Sequence, residues 1–314
     1  KHVLITGGAG FLGYYFIYFF NFIRLRYGVE VKVSVTDNFI RGKPSWITDA
    51  EREFRGFLDI VTHDIVTELP HSITTANINY IIHAASIASP IVYRRFPIET
   101  MDANVIGLRR LLDHCDLRAK NNSDLDGFLF FSSSEIYGNP IPECIPTPEH
   151  YNGNVSCTGP RACYDESKRF GETLCVNFAK EKGIPIKIAR PFNNYGPGLN
   201  LKDGRVIPDF ARNMLDGGNI VLFSNGKASR TFCYIADAIS GYLRILLKGK
   251  AGQAYNIGTE SPEVTIAELA EEFSAIGREI LGSNTKVEYK TSDDPEYNTD
   301  NPERRCPDIS LARS

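Results

Sequence analysis

A chain of 314 residues, 42% hydrophobic, is long enough to bury one large core or two intimately joined ones. Its net charge of −3 gives no bulk attraction to nucleic acid or to a membrane surface. Seven cysteines without a Cys-x-x-Cys pair and six scattered histidines indicate neither a disulfide framework nor a metal site, and reduced thiols suit a cytoplasmic protein.

The first apolar run, His2–Thr6, predicts a strand, and "GGAGFLG" follows it. Gly7, Gly10 and Gly13 then stand at a strand-to-helix turn, where a bare backbone and a helix N-terminus can receive a pyrophosphate. Residues 7–23 carry no charge, but they fall short of the ~20 apolar residues a membrane span needs, and glycines crowd their start. They predict a buried helix. Phe16, Phe20 and Ile23 share its sheet-facing side, while Tyr14, Tyr18 and Phe22 form a second stripe. That stripe is covered either by the chain's own C-terminal segment or by a second contact surface.

The second strand, Val31–Thr36, leads into "DNF", so Asp37 can accept the ribose hydroxyls of NAD and repel the extra phosphate of NADP. Arg41 and Lys43 keep NADP open. Strands Leu58–His63 and Tyr80–Ala84 deliver Asp64, Ile65, Ala84, Ala85 and Ser86 to the carboxyl ends of the sheet, where a ligand lies in such folds. A helix at Thr100–Arg118, a strand at Phe128–Ser132 leading into "SSSEIYG", a helix at Arg161–Lys182 and a strand at Pro185–Arg190 follow. Continuous apolar strands alternating with helices predict a doubly wound parallel α/β sheet of the Rossmann type.

After Arg190 the rhythm changes to a loop-rich stretch, a helix at Val206–Leu215, a strand at Ile220–Phe223, and helices at Ile235–Leu247 and Ile266–Leu281. We expect a dinucleotide-binding domain over residues 1–190 plus about 220–258, and a smaller, partly interleaved substrate lobe over 191–219 and 259–314. Tyr164 and Lys168 are four apart and share a helix face. Alone that spacing also fits a surface pair. As a base, a tyrosine of pKa ~10 needs help, and a neighbouring ammonium and a positive nicotinamide would both favour its phenolate.

The segments "ITGGAGFLG", "DNFIRGK", "HAASIASP", "NVIGL", "SSSEIYG", "GPRACYDESKR", "DGRVIPDF", "SRTFCYIADAISGYL" and "RCPDI" carry a resemblance along nearly the whole chain. It resembles the extended short-chain dehydrogenase/reductases that act on nucleotide sugars, most of all the UDP-glucuronate decarboxylases. The resemblance implies NAD held by Gly7, Gly10, Phe11, Leu12, Gly13, Asp37, Asn38, Arg41, Gly42, Asp64 and Ile65, with Ala84, Ala85, Ser86, Asn104, Ser132, Tyr164 and Lys168. It implies a substrate held by Ser89, Tyr93, Asn193, Arg205, Val206, Phe223, Arg230 and Arg305, with Arg230 on the diphosphate, and catalysis by Ser133, Ser134, Glu135, Tyr164, Lys168 and Arg305. No metal, nucleic acid or membrane partner is implied. A homodimer is, through a four-helix bundle of Thr100–Arg118 and Arg161–Lys182 from each subunit.

Chemistry separates the members of that group. Oxidising a sugar at C4 acidifies the C5 proton. With a carboxylate at C6, the product is a β-keto acid that loses carbon dioxide; with a hydroxyl, water elimination needs an acid and a base. Sugar-nucleotide 4,6-dehydratases carry Asp-Glu where this chain has Ser134-Glu135, and simple 4-epimerases usually have a small or apolar residue in place of the glutamate. The Ser-Glu pair is similar to the decarboxylases, as is Arg305 in "RRCPDI". Departures are Phe223, Ser224 and Ala228, where decarboxylases tend to have tyrosine, glycine and glutamine, and "NNYGP", which is closer to dehydratases and epimerases. A 4-epimerase, a 4,6-dehydratase or a C4 oxidase stays open, as does a catalytically idle NAD-binding regulator.

Overall fold

The computed structural model describes residues 1–121, 123, 125–296 and 299–314. Its main sheet is parallel throughout, with β1 (His2–Thr6), β2 (Lys32–Asp37), β3 (Leu58–Thr62), β4 (Tyr80–His83), β5 (Gly127–Phe131), β6 (Ile186–Pro191) and a late strand, Ala254–Ile257. Their order across the sheet is β3-β2-β1-β4-β5-β6, with Ala254–Ile257 at the far edge. The chain therefore reverses direction between β1 and β4, and a crevice opens at the carboxyl ends there. Strand apolarity follows from this layering: every residue of β5 is buried, because helices cover both of its faces. Each fully buried aliphatic or aromatic side chain contributes about 1.5–3 kcal/mol of burial free energy.

Helix α1 (Phe11–Tyr27) follows β1 directly and ends at Gly28 in the left-handed conformation, φ 66°. Phe16, Ile17 and Phe20 are buried against the sheet, as the periodicity requires, with Ile23 only partly so. The second stripe is covered from within the chain, but not by the C-terminal segment. Helix α2 (Ser45–Glu53) and the residue after it supply the cover: Tyr14 meets Trp46 edge-on at 5.1 Å, and Tyr18 meets Phe54 at 5.3 Å. Phe22 lies beyond that cover, 54% exposed. Among the described residues no helix is long and apolar enough to cross a membrane.

The helix expected at Thr100–Arg118 is helical throughout but not uniform. An α-turn at Pro97–Asp102 passes through a π-turn at Ala103–Gly107 into the α-helix Leu108–Lys120. Gly107 sits where a Cβ would come within 2.5 Å of Ile65, so the helix approaches the end of β3 closely.

The lobe boundary also differs from expectation at one point. Ile220–Leu222 pairs with Val287–Tyr289, and Ile220 and Leu222 share a separate small core with Phe210, Leu269 and Ala270. Residues 220–230 thus belong with the smaller lobe, because their apolar face packs on Ile266–Leu281 rather than on the main sheet. The chain returns to the main sheet with helix Ile235–Lys248 and strand Ala254–Ile257. A capping box of Thr265 and Glu268 starts the lobe's long helix, Ile266–Leu281.

One buried ion pair ties strand, helix and loop together. Arg190 on β6 donates to Glu172 through Nε at 2.8 Å and Nη2 at 2.6 Å, and through Nη1 to the Tyr137 hydroxyl at 2.6 Å. Tyr137 in turn donates to Asn256 Oδ1 at 2.8 Å. Breaking such a pair from one side leaves an uncompensated buried charge. Glu172→Ala is therefore expected to lower the unfolding free energy by about 3–5 kcal/mol, measured by denaturant titration. A loss below ~1 kcal/mol would show that Arg190 is satisfied without it.

Candidate active site

A cleft of about 1200 Å³ runs along the carboxyl ends of β1–β5 and under the smaller lobe. Gly7, at φ 69°, is the tightest point of its floor: a Cβ there would lie 2.5 Å from the Ala85 backbone. Gly13 does not line the cleft. It lets α1 start against Gly8, whose carbonyl oxygen a Cβ would meet at 2.2 Å. Gly10, Phe11 and Leu12 line the cleft between these two glycines. Asp37 accepts from the Ala9 and Phe39 backbone N–H groups at 3.0 and 2.8 Å, and burial raises its pKa despite those bonds. A carboxylate has about four acceptor positions, so capacity remains for ribose hydroxyls.

Beside Asp37, Asn38 donates to Asp64 at 3.1 Å. Gly42, Ile65, Ala84, Ala85 and Ser86 line the same end of the cleft. Arg41 is paired with Asp203 at 2.8 Å and Lys43 with Glu51 at 3.4 Å. Ser86 and Ser132 have buried hydroxyls with no hydrogen-bond partner among the described residues, so the cleft offers polar groups to a bound molecule. Glycine floor, ribose-ready carboxylate and unpartnered hydroxyls together fit a dinucleotide such as NAD.

The chemistry-bearing end is built where β5 stops. Ser132, Ser133 and Ser134 run off the strand, and the Ser133 hydroxyl caps the turn Ser134–Tyr137 by accepting from Glu135 N–H at 3.2 Å. The capping is thus done by serine, and the Glu135 side chain points elsewhere. It accepts from Arg305 Nη2 at 2.7 Å, again from Arg305 Nη1, and from Arg161 Nη2. Burial alone would raise the Glu135 pKa, but Arg161 and Arg305 more than offset it and hold the carboxyl at about 2. Glu135 is a locked carboxylate, not a proton donor.

Helix Ala162–Lys182 supplies the neighbouring groups. Tyr164 stacks on Tyr93 at 5.2 Å and shares a hydrogen bond with Ser133. Lys168 donates to the Phe131 carbonyl at 2.7 Å, with its ammonium 5.8 Å from the centre of the Tyr164 ring. The expected lowering of the tyrosine pKa is not met within the chain alone. Burial raises it, with only the Ser133 hydrogen bond and distant Arg205 opposing. Burial also drives Lys168 down to about 7, which weakens the cation that was to help. Asp165, the next residue, is buried with one unpartnered oxygen; burial and then Glu135 raise its carboxyl to about 8.

Four expected residues are placed off the cleft. Besides Gly13, Asn104 is fully buried and donates to Ser167 Oγ at 2.8 Å. Ser89 donates to the Asp203 carbonyl at 2.7 Å, and Phe223 lies outside the lining while Ser224 is part of it. Tyr93, Asn193, Arg205, Val206, Arg230 and Arg305 do line it. Arg230, expected on a diphosphate, donates to the carbonyls of Ser229 and Pro302 at 2.6 and 2.5 Å. It anchors the segment that carries Arg305, since Arg304–Arg305 pairs with Ser229–Arg230.

Sequence reasoning missed Arg161, Asp165 and Asp203. Arg161 had a usable signal, standing one helical turn before Tyr164 and so on the same face.

Residues 3–258 match the family model described as the NAD dependent epimerase/dehydratase family, and the chain belongs to that family. It is 36% identical to UDP-glucuronic acid decarboxylase 3 of Arabidopsis thaliana, over 99% of this chain and 82% of that protein. Against UDP-glucuronic acid decarboxylase 1 of Xenopus tropicalis, identity is 33% over 100% of this chain and 67% of that protein. In fold it resembles UDP-glucose 4-epimerase from Thermotoga maritima solved with UDP-glucose (TM-score 0.80, 24% identity, 100% of this chain and 91% of that one). It similarly resembles UDP-glucuronic acid 4-epimerase from Bacillus cereus solved with UDP-glucuronic acid and NAD (TM-score 0.76, 24% identity, 99% and 91%).

The locked carboxylate has a pH signature. The Glu135 pKa is depressed from its ordinary 4.5 to about 2, so its share of stability is complete above about pH 4.5 and is lost as pH falls toward 2. Urea titrations across that window should show a shallower acid-side loss for Glu135→Gln than for the wild type. Superimposable pH–stability curves would mean that Glu135 is not ionised between the two arginines.

Proposed function

We propose that the chain decarboxylates a nucleotide-linked uronic acid, converting UDP-glucuronate to UDP-xylose through transient oxidation at C4. The observation that carries this reading is the pair Arg161 and Arg305, held on Glu135 at the end of β5 beside Ser133 and Tyr164. Three guanidinium groups, those of Arg161, Arg230 and Arg305, stand against one ionised carboxylate there, and the surplus positive charge suits a substrate with a carboxylate and a diphosphate. The curated relatives, named as UDP-glucuronic acid decarboxylases along almost the whole chain, support the same substrate.

The residues divide the work as follows. Tyr164 takes the C4 hydroxyl proton and later returns it, while Ser133 holds the same oxygen and Lys168 is fixed alongside by the Phe131 carbonyl. Bound NAD would accept the hydride from C4 and give it back to C4 after decarboxylation, and its positive nicotinamide would favour the Tyr164 phenolate. Arg161 and Arg305 hold the C6 carboxylate until the C5–C6 bond breaks. Its electron pair moves toward the C4 carbonyl, carbon dioxide leaves, and C5 takes up a proton, so each turnover consumes one proton. Water elimination from C6 has no support here, because Ser134 is not an acid and Glu135 is held ionised.

Helices Pro97–Asp102, Leu108–Lys120 and Ala162–Lys182, with the π-turn Ala103–Gly107, leave Ile98, Met101, Ile106, Leu117, Phe170 and Val176 exposed, which supports a homodimer built on this face. Unpaired cysteines throughout the chain support a reducing, cytoplasmic setting.

Incubation with UDP-glucuronate and NAD should release carbon dioxide. An unchanged substrate mass would favour epimerisation, and no turnover would favour an idle binder. Tyr164→Phe should lower kcat by roughly 10²–10⁴-fold with NAD binding retained; near-normal turnover would remove the oxidation step from this helix. Glu135→Ala or Arg305→Ala should slow carbon dioxide release more than the first appearance of NADH in a single turnover. Equal slowing of both steps would reduce these residues to substrate binding. Ile106→Glu with Phe170→Glu should give a folded monomer by light scattering, and an unaltered mass would place the interface elsewhere.

A further inference from the structure

Arg41 and Arg205 reach the cleft from different parts of the molecule, Arg41 from the loop after β2 and Arg205 from the start of helix Val206–Leu215. Both end on one carboxylate. Arg41 Nη2 lies 2.8 Å from Asp203 Oδ1, and Arg205 Nε donates to Oδ2. The Asp203 side chain is 3% exposed, whereas those of Arg41 and Arg205 are 35% and 40% exposed. The backbone of Asp203 is fastened independently, its carbonyl accepting from Ser89 Oγ at 2.7 Å and its N–H donating to Asn200 O at 3.0 Å. Gly204 follows at φ 76°, where a Cβ would lie 2.4 Å from Ile91, so the loop turns sharply right after the carboxylate. A buried anion held this rigidly between two half-exposed cations fixes where both cations point.

We propose that Asp203 is a positioning residue shared by the two halves of the cleft: it neutralises Arg41, so that this guanidinium does not recruit the extra phosphate of NADP, and it holds Arg205 toward the nucleotide of the substrate. Asp37 repels the NADP phosphate, and the two cations that follow it, Arg41 and Lys43, are each matched by an acid, Asp203 and Glu51. Discrimination against NADP therefore needs a residue 166 positions away from the aspartate that begins it, contributed by the other half of the cleft. The Arg205 half of the proposal rests on the nucleotide-sugar reading; the Arg41 half rests only on the family's use of NAD.

The test is equilibrium binding on protein stripped of nucleotide, read by intrinsic fluorescence. Asp203→Asn is isosteric and keeps both backbone bonds, so it frees Arg41 without removing the loop. The ratio of NADP to NAD dissociation constants should fall about tenfold, and UDP should bind several-fold more weakly. In the Arg41→Gln background, Asp203→Asn should leave the cofactor ratio unchanged, because the effect travels through Arg41. Arg41→Gln alone, at a half-exposed position that threatens no core, should also leave the ratio near that of the wild type. An unmoved ratio in Asp203→Asn, a shift that persists without Arg41, or a loss of NADP binding in Arg41→Gln alone would overturn the Arg41 half. UDP affinity unchanged in Asp203→Asn would overturn the Arg205 half. Failure of the wild type to bind UDP counts against the nucleotide-sugar reading itself, and the cofactor ratio then still decides the role of Asp203.

Discussion

Two guanidinium groups can share a largely desolvated corner only if a negative charge sits between them, and Glu135 is that charge. Arg161 arrives from the turn before one helix, and Arg305 from a short strand 170 residues further along the chain than Glu135. Each cation alone would face water rather than its like-charged neighbour. With Glu135 between them, both hold fixed positions in the cleft wall; among the described residues their buried Nε groups make no hydrogen bond, that of Arg161 lying 3.9 Å from Asp165 Oδ2. The arrangement also removes Glu135 as a proton donor, since a carboxyl held at about 2 has no proton to give near neutral pH. The same contact thus places the arginines and narrows the reaction class.

The parallel sheet determines why these groups meet. A buried strand of four consecutive apolar residues, Phe128–Phe131, must stop where the helices no longer cover it, and the polar run Ser132–Glu135 begins there. Helix Ala162–Lys182 lies against that end, bringing Tyr164 beside Ser133 and leaving Lys168 to bond the last strand carbonyl. Burial then acts against the tyrosine. In the chain by itself burial holds the phenol protonated and lowers the lysine to about 7, so a cation bound against them would favour the phenolate.

Local patterns made much of this legible in the sequence. Strand positions were readable because both-face burial gives unbroken apolar runs, and the glycine turn because a close backbone approach tolerates no Cβ. Tyr164, Lys168, Ser133 and Glu135 were readable as residue types at fixed spacing beside those elements. What escaped depends on which distant segment closes over the cleft. Asp203 lies in a loop with no periodicity, and its partners Arg41 and Ser89 are more than a hundred residues away. Arg230 was expected on a diphosphate, yet its donors go to carbonyls of residues 229, 302 and 303. Ile220–Leu222 was assigned to the wrong lobe for the same reason, since three apolar residues do not say which sheet receives them.

The C-terminal segment is where assembly and chemistry coincide. Residues 303–308 are held by bonds from distant segments, among them Ser229 N–H to the Glu303 carbonyl, Thr147 N–H to the Cys306 carbonyl, and Asn256 Nδ2 to the carbonyls of Thr147 and Asp308. Each of these contacts closes a long loop, and loop-closure entropy grows only logarithmically with length, so the cost is met by a few good bonds rather than by a large core. Arg305 lies inside the segment those bonds define and is itself only 6% exposed. Its ion pair with Glu135 can form only after β5, the Ser229–Arg230 strand and the last residues have come together. The site's charge balance therefore depends on tertiary closure and not on local structure, since Glu135 and Arg305 stand 170 residues apart and meet only in the assembled fold.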